Sequence, residues 1–196
     1  MSESKARSHP ELGVEQLQAE LRRVKYRRRF ARSVLCILLV LALVAALAIA
    51  AAYLWLPVLR IHGDSMENTL QSGDVVVAVR GLEAEAGDLI TFEVNGKLLV
   101  KRVIAKGGDV VSIDEDGVVS VNGAALDEPY VHEAALGTCD VQMPCVVPEN
   151  TYFVMGDHRA VSVDSRSEAV GFIREDQTAG KVVLCIWPIS RLEWLY

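Results

Sequence analysis

The apolar residues divide the chain into two unlike parts. Residues 33–59 contain no charged side chain, and residues 34–56 among them are almost purely apolar. About 20 apolar residues in a helix are enough to cross the hydrocarbon core of a bilayer. No second stretch of that length follows. The pattern therefore predicts one transmembrane helix at residues 33–57, and it excludes both a purely soluble protein and a protein with several spans.

After the span, the apolar runs become short and rich in Val and Ile, with turn-forming residues between them. Asn95-Gly96 separates two such runs, at residues 91–94 and 97–104. Asn-Gly between strand-like runs is a strong signal for a tight β-hairpin. We therefore expect residues 58–196 to form one mainly antiparallel β domain, so that the fold class is mainly β behind a single N-terminal transmembrane helix.

Charge is distributed unevenly about the span. Residues 1–32 carry a net charge of +5 and residues 60–196 a net charge of −11. Basic residues that flank a span tend to stay in the cytoplasm, and here they are Arg22, Arg23, Lys25, Arg27, Arg28, Arg29 and Arg32. This predicts a cytoplasmic, partly helical segment at residues 1–32, with a helix that begins near Pro10 and continues into the span.

The large domain is then extracytoplasmic. A cleavable signal peptide has a shorter apolar core nearer the N-terminus, so the span is interpreted as an uncleaved anchor in the cell membrane. The acidic balance of the domain argues against nucleic acid as a partner, because phosphate binding needs a basic face.

The four cysteines differ in their surroundings. Cys36 and Cys185 lie in apolar runs, where a thiol packs as a small hydrophobic group. Cys139 and Cys145 flank five residues of a loop-like stretch. An extracytoplasmic compartment permits a Cys139–Cys145 disulfide; the alternative is two free thiols.

Candidate chemistry begins a few residues after the span. The histidines are scattered and lack the spacing of metal ligands, so no metal site is predicted. Ser65 follows Gly63-Asp64 in a short polar stretch. An extended chain places Ser65 within about 30 Å of the end of the span. A serine in a loop is, however, also typical of an ordinary turn.

A second candidate is the pair of cations inside the apolar strand at residues 98–104. Burial lowers the pKa of a lysine, and a neutral Lys101 is able to act as a general base, whereas Arg102 does not deprotonate. A decrease in pKa from about 10.4 to about 8 corresponds to roughly 3 kcal/mol. The alternative is a lysine whose amine reaches solvent at a strand edge.

The third candidate is the polar stretch at residues 155–166, where Asp and Arg residues are interspersed. By itself it is compatible with an ordinary charged loop. Taken with the other two stretches, it resembles the third sequence box of the type I signal peptidases, at Gly156-Asp157, Arg159, Ser162 and Asp164-Ser165-Arg166.

The first two stretches are similar to the same family. Gly63-Asp64-Ser65-Met66 with Thr69-Leu70 resembles its nucleophile box, and residues 101–104 followed by Gly108-Asp109 resemble its base box. The resemblance covers most of residues 34–190. It implies a membrane-bound serine endopeptidase that removes signal peptides from exported precursor proteins, without a cofactor.

The resemblance also implies roles for individual residues. Ser65 would attack, Lys101 would accept its proton, and Ser162 would orient the lysine. Asp164, Arg166 and Asp157 would support the site, and we expect Met66 to line a substrate pocket. The expected partners are precursor proteins and the lipid bilayer, and the expected state is a monomer.

Two positions depart from the family pattern. Asn68 stands where the family usually has Pro, and His158 stands where it often has Asn. Gly63, two residues before the serine, provides no side-chain donor for an oxyanion, so the Ser65 backbone N–H is the candidate donor. Two other classes remain open: a non-catalytic membrane-anchored binding domain of the same fold, and a self-cleaving repressor-type Ser/Lys protease.

Overall fold

The structure is a computed structural model, and it describes residues 13–195. Pro10, where the sequence predicts the start of the helix, lies outside this range. The chain forms two compact units that divide between Ala52 and Tyr53.

A single long helix, α1, makes up the first part. It covers Val14–Trp55, 42 residues without a Gly or Pro, and Gly13 and Pro57 lie just beyond its two ends. Leu and Ala, both strong helix formers, dominate its second half. The segment Leu21–Trp55 is long and apolar enough to cross a membrane, and the apolar side chains reported along it are exposed, Cys36 among them. The predicted N-terminal apolar helix is confirmed, and it continues without a break through the basic cluster.

The second part is built from twelve short strands, which confirms the mainly β fold class. They are β1 Val58–Arg60, β2 Val75–Val79, β3 Leu89–Val94, β4 Lys97–Lys106, β5 Val110–Ile113, β6 Val119–Val121, β7 Ala124–Ala125, β8 Cys145–Val146, β9 Thr151–Met155, β10 Ile173–Arg174, β11 Thr178–Trp187 and β12 Glu193–Trp194. Two 3₁₀ turns, Glu175–Gln177 and Ile189–Arg191, flank β11.

The strands form two sheets, and all their pairings are antiparallel. The larger sheet has the order β1-β2-β11-β3-β4-β9-β10, with β12 paired to β11. The smaller sheet has the order β7-β6-β5-β8. Strands β3 and β4 form the predicted hairpin, with Val94 opposite Lys97. Asn95 and Gly96 both have positive φ, of 53° and 74°, as a two-residue hairpin turn requires.

Three apolar clusters hold the domain together, and two of them support the segments that carry the candidate residues. Met66 and Leu70 pack with Ile61, Val76 and Leu89, so the stretch around Ser65 is anchored in the core. Cys185 belongs to the same cluster and is buried. Strand β9 is buried at every position and ends at Met155, immediately before the third box. The serine stretch and the start of the third box are therefore both anchored in the packed core.

Candidate active site

The serine loop is fixed by backbone hydrogen bonds at both ends. Glu67 N–H donates to the Asp64 carbonyl at 3.0 Å, and Leu70 N–H donates to the Met66 carbonyl at 2.8 Å. Ser65 is partly exposed, and it lies between the exposed Asp64 and the buried Met66. Gly63 has a φ of 86°, a conformation in which a residue with a Cβ is strained. The loop therefore presents Ser65 at the surface on a well-supported backbone.

Lys101 lies on β4 and does not reach solvent. Its relative exposure is 2%, and its Nζ donates a hydrogen bond to the Ser162 Oγ at 2.9 Å. A lysine whose amine extends into solvent, the alternative considered from the sequence, does not describe this residue. The structure thus brings Lys101 and Ser162 into direct contact.

Burial changes the acid–base behaviour of Lys101. Desolvation is the largest effect and lowers its pKa from 10.5 to about 8, with Arg166 acting in the same direction and the carboxylates of Asp164 and Asp157 opposing. A fall of this size increases the fraction of neutral amine at pH 7 about 300-fold. Lys101 is thereby placed in the pKa range of a general base near neutral pH.

Gly156 is the point at which the Ser65 loop approaches the third box. A Cβ placed on Gly156 would lie 2.2 Å from the Ser162 Oγ and 2.4 Å from the Ser65 carbonyl oxygen. The same Ser65 carbonyl accepts a hydrogen bond from the His158 N–H at 3.1 Å. Because a side chain here would overlap both serines, the close approach of the Ser65 loop to the third box requires glycine.

The carboxylate of Asp164 holds this junction in place. It accepts the Gly156 N–H at 2.9 Å and the Nε and Nη2 of Arg166 at 2.8 and 2.9 Å. Both side chains are fully buried. Removing one partner of such a pair leaves an uncompensated buried charge, which is strongly destabilising.

Asp157 connects the third box to the other two. It accepts the Nε and Nη2 of Arg102 at 2.8 and 2.6 Å, and also the hydroxyl of Thr69. Arg102 follows Lys101 on β4, and Thr69 lies four residues after Ser65. One buried carboxylate therefore ties the serine loop and the lysine strand to the third box.

An apolar cleft lies beside Ser65. Its volume is about 230 Å³, and it is lined by Leu59, Arg60, Ile61, His62, Gly63, Ser65, Met66, Leu98, Leu99 and Val100. Met66 contributes to the wall while its side chain packs in the core. A second cavity of about 250 Å³ lies beyond Glu67 and His158, and Ser65 does not line it. Of these two cavities, the first adjoins the serine.

The two departures from the family pattern have visible structural settings. Asn68 has a φ of 84°, which proline does not adopt because its ring fixes φ near −65°. Asn is among the few residues with a side chain that tolerate positive φ. His158 uses its backbone N–H to bind Ser65, and its Nδ1 lies 3.2 Å from the Glu67 carboxylate.

The predicted Cys139–Cys145 bridge is not formed in the structure. Both are free cysteines, and the Cys139 thiol donates to the Val141 carbonyl at 3.6 Å. Burial, followed by the nearby Cys139 thiol, raises the pKa of Cys145. Oxidation of this pair stays a prediction. Within residues 13–195, no three His, Cys, Asp or Glu side chains converge as a metal ion would require.

Sequence reasoning missed the partners of the buried arginines. Glu128 receives two hydrogen bonds from Arg159, and the ring of Tyr130 lies 3.9 Å from the Arg102 guanidinium carbon. Both belong to an irregular polar segment without periodicity. The available signal was indirect: arginines among apolar residues need partners, and the sequence does not say where these come from.

Known proteins of one family match most of this chain. A family model described as signal peptidase, peptidase S26, matches residues 31–187. A signal peptidase IB of Staphylococcus aureus (strain MRSA252) is 38% identical over 154 residues, which cover 68% of this chain and 79% of that protein. A signal peptidase I of Bacillus licheniformis is 36% identical over 168 residues, covering 79% of this chain and 88% of that protein.

A crystal structure of a signal peptidase I from Enterococcus faecalis V583 is also similar, with 30% identity and a TM-score of 0.42, covering 50% of this chain and 96% of that one. The matched residues 31–187 contain the Ser65 loop and the third box, which meet at Gly156, and the Lys101 strand, which contacts the third box through Ser162. With a match of this extent, the chain belongs to the signal peptidase family, peptidase S26.

Proposed function

We propose that this protein is a membrane-anchored serine endopeptidase that cleaves signal peptides from exported precursor proteins, with Ser65 as nucleophile and Lys101 as general base. The observation that carries the proposal is the buried Lys101 amine. Its pKa is about 8, and it donates to Ser162, which packs over Gly156 beside the Ser65 backbone. The hydrogen bond given for the Lys101 amine goes to a hydroxyl and not to a carboxylate. Burying a lysine in this way lowers the stability of the fold, and a catalytic role explains why such a residue is present.

The proposed reaction is acyl transfer through an ester. Neutral Lys101 accepts the Ser65 proton while the Ser65 oxygen attacks the scissile carbonyl carbon. The ammonium then protonates the departing amine, and the signal peptide remains esterified to Ser65. Lys101 next accepts a proton from water as the water oxygen attacks the ester carbon. The ammonium then returns this proton to the Ser65 oxygen, which frees the signal peptide and restores the serine. Ser162 orients the lysine throughout.

The developing oxyanion needs hydrogen-bond donors on the protein. Gly63 has no side chain to donate, so the Ser65 backbone N–H is the proposed donor. Its position is supported by the bond between the Ser65 carbonyl and the His158 N–H at 3.1 Å, because this bond fixes the peptide units around Ser65. Asp164 and Asp157 contribute by holding the Gly156 junction and the Arg102 strand.

The apolar cleft beside Ser65 fits the substrate that the family implies, with small residues one and three positions before the cleaved bond. In an extended peptide, alternate side chains point to the same side. Both small residues therefore face one wall, and a single cleft of about 230 Å³ has room to receive them. Aliphatic residues such as Leu59, Ile61 and Leu99 give that wall its apolar character.

The exposed apolar side chains of the domain support a location at the bilayer surface. Trp187, Ile189, Leu192 and Trp194 are each more than half exposed. Arg191, within this group, donates to the Thr69 carbonyl at 2.9 Å, so these side chains lie near the serine loop. Aromatic residues of this kind favour the membrane interface. We propose that the cleft opens beside the lipid, where a membrane-bound precursor presents its cleavage site.

The test is cleavage of a signal-bearing precursor by the detergent-solubilised full-length protein, with the cut mapped by mass spectrometry. Ser65→Ala should abolish cleavage without changing the melting temperature, because a surface hydroxyl contributes little packing. Ser162→Ala should slow cleavage without abolishing it. Ser120→Ala, in β6 of the smaller sheet, is the matched control and should behave as wild type.

Two outcomes would contradict the proposal. Wild-type cleavage by Ser65→Ala would disprove the nucleophile. A folded wild-type protein that binds precursors and cuts none of them would favour the alternative, a non-catalytic membrane-anchored binding domain of the same fold.

A further inference from the structure

One irregular segment supplies partners to three buried arginines around the site. This covering loop, residues 126–144, connects β7 to β8. Arg166 donates to the carbonyls of Ala135 and Leu136 at 3.2 and 2.7 Å. Arg159 and Arg102 contact Glu128 and Tyr130 of the same loop. None of the three boxes contains these loop residues.

The contact between Glu128 and Arg159 is bidentate. Arg159 Nη1 and Nη2 donate to the two carboxylate oxygens at 2.9 and 2.6 Å, while Arg159 Nε donates to the Gly156 carbonyl at 3.1 Å. Arg159 is only 1% exposed. A guanidinium is planar, so fixing one edge on Glu128 also fixes the edge that binds Gly156.

Tyr130 acts on the second arginine. The Arg102 guanidinium carbon lies 3.9 Å from the centre of the Tyr130 ring, within the range of a cation–π interaction. The Tyr130 hydroxyl donates to Glu128 at 2.8 Å. Glu128 and Tyr130 thus form one unit, which we call the brace.

We infer that the brace is a positioning element of the active site: Glu128, through Arg159, and Tyr130, through Arg102, hold the Gly156 junction and the Lys101 strand in reacting geometry. The inference rests on the proposed function. The contacts described for the brace join Glu128 and Tyr130 to each other, to Arg159 and to Arg102. We therefore expect its effect to pass through the two arginines.

The path from the brace to the reacting groups is short. Gly156, bound by Arg159, packs against both the Ser65 carbonyl and the Ser162 Oγ. Arg102 directly follows Lys101 on β4, and the Tyr130 ring covers its guanidinium. The same guanidinium donates two hydrogen bonds to Asp157. Loss of the brace would therefore shift Ser65, Ser162 and Lys101 relative to one another.

The Tyr130 hydroxyl keeps its proton over the range in which Lys101 titrates. Burial, and then the Glu128 carboxylate, raise the pKa of Tyr130, so its hydroxyl remains a donor at alkaline pH. A change in the pH profile of a brace variant would consequently report on Lys101 and not on Tyr130.

The experiment measures cleavage kinetics and pH profiles of the full-length protein with a signal-bearing precursor. Glu128→Gln keeps the shape of the side chain and removes its charge. We expect kcat to fall about 10- to 100-fold, as for small displacements of reacting groups, while KM changes less than about twofold, because the cleft is built by other segments. Glu83→Gln, which breaks an exposed contact with Lys106, is the matched control and should retain wild-type kinetics.

The pH profile separates positioning from a general loss of stability. The pKa of Lys101 is low chiefly because the amine is buried, and opening the brace admits water. The ascending limb of kcat should therefore move to higher pH in Glu128→Gln. Tyr130→Leu should show the same shift, whereas Tyr130→Phe, which retains the ring over Arg102, should recover most of the wild-type rate.

If Glu128→Gln fails to fold, the kinetics and pH profiles of Tyr130→Leu and Tyr130→Phe still test the inference. Wild-type kcat and an unshifted limb in both Glu128→Gln and Tyr130→Leu would overturn it. Equal rates in Tyr130→Leu and Tyr130→Phe would also overturn the role of the ring. If the wild-type protein cleaves the precursor and Ser65→Ala does not, such a result would disprove the brace alone, and the proposed function would still hold.

Discussion

Lys101 is a cation for most of its population at pH 7, yet folding removes it from water. Its pKa of about 8, against 10.5 outside the fold, means that the folded state disfavours the charged form. Below pH 8 both states bind the proton, and folding carries a penalty of about 3 kcal/mol. Between about pH 8 and 10.5 the unfolded chain binds the extra proton, so the stability of the protein rises with pH across this window.

Replacing Lys101 should therefore separate activity from stability. Lys101→Met removes the buried charge and also the hydrogen bond to Ser162, which is worth about 1 kcal/mol. We expect the variant to be inactive and more stable than wild type by about 2 kcal/mol at pH 7, with the difference decreasing as pH rises through 8 to 10.5. Thermal melting in detergent at several pH values measures this.

The corresponding activity measurement uses Lys101→Arg beside the wild type. A permanent cation does not accept a proton, so Lys101→Arg should be as inactive as Lys101→Met. The wild-type kcat should rise with pH along a limb near pH 8. Turnover of Lys101→Arg at the wild-type rate would disprove the general-base role.

Asn68 gives a second residue-level prediction. Its φ of 84° is closed to proline, and forcing an unfavourable backbone conformation costs about 1–3 kcal/mol. Asn68→Pro should lower both the melting temperature and the rate of precursor cleavage, although it restores the residue typical of the family. Asn68→Gly accepts positive φ and serves as the control. Equal melting and cleavage in the Pro variant would mean that the loop does not require positive φ.

The residues of the site differ in how far the sequence could predict them. Lys101 and Arg102 could be recognised as unusual because burying two cations in an apolar strand costs free energy. Gly156 was visible in the third box, but its close approach to Ser65 depends on how β9 and the serine loop pack. Glu128 lies 31 positions from Arg159, and no local pattern connects residues so far apart.

The regular elements follow their sequence patterns closely. The helix α1 extends through 42 residues without Gly or Pro, and the β3–β4 hairpin turns at Asn95-Gly96 as predicted. Both elements depend on the preferences of residues close together in the sequence, so they can be predicted from it. The strand order β1-β2-β11-β3-β4-β9-β10 cannot be predicted in this way. Strand β11 inserts between β2 and β3 through contacts between residues about 90 positions apart, such as the pairing of Val182 with Leu89.

The covering loop shows the opposite case, since it has almost no regular structure and yet contacts three buried arginines. Its path is determined by those contacts and not by periodicity. Cys139 lies in this loop and Cys145 on β8, directly after it. A disulfide between them would tie the end of the covering loop to the smaller sheet.

We predict that Cys139 and Cys145 form a disulfide when the β domain lies outside the cytoplasm. The structure has free thiols close enough for Cys139 to raise the pKa of Cys145, and closing so short a loop would stabilise the protein by about 2 kcal/mol. Mass spectrometry of unreduced protein should find one cross-linked peptide pair, lighter by two hydrogens, which is lost in Cys139→Ser. Complete alkylation of both thiols after early blocking would contradict the prediction.

At the scale of the whole molecule, function depends on which side of the membrane the β domain occupies. Seven Lys and Arg residues lie at positions 22–32, whereas residues 56–76 contain only Arg60. This asymmetry favours a cytoplasmic N-terminus. A precursor emerging from the opposite face would then meet the cleft beside Ser65 on the outer side of the bilayer.

Protease treatment of intact spheroplasts tests this orientation. Trypsin added outside should degrade the β domain and leave an N-terminally tagged fragment that ends near Arg60, because the bilayer protects the basic residues at positions 22–32. In detergent-permeabilised spheroplasts the same basic residues become accessible, and the tagged fragment should disappear, which provides the control. The expected pattern follows from charge alone, since each Lys or Arg resists transfer through the apolar core by about 3 kcal/mol. If instead the β domain survived in intact spheroplasts and was digested only after permeabilisation, the domain would be cytoplasmic, and cleavage of exported precursors on the outer surface would no longer be tenable.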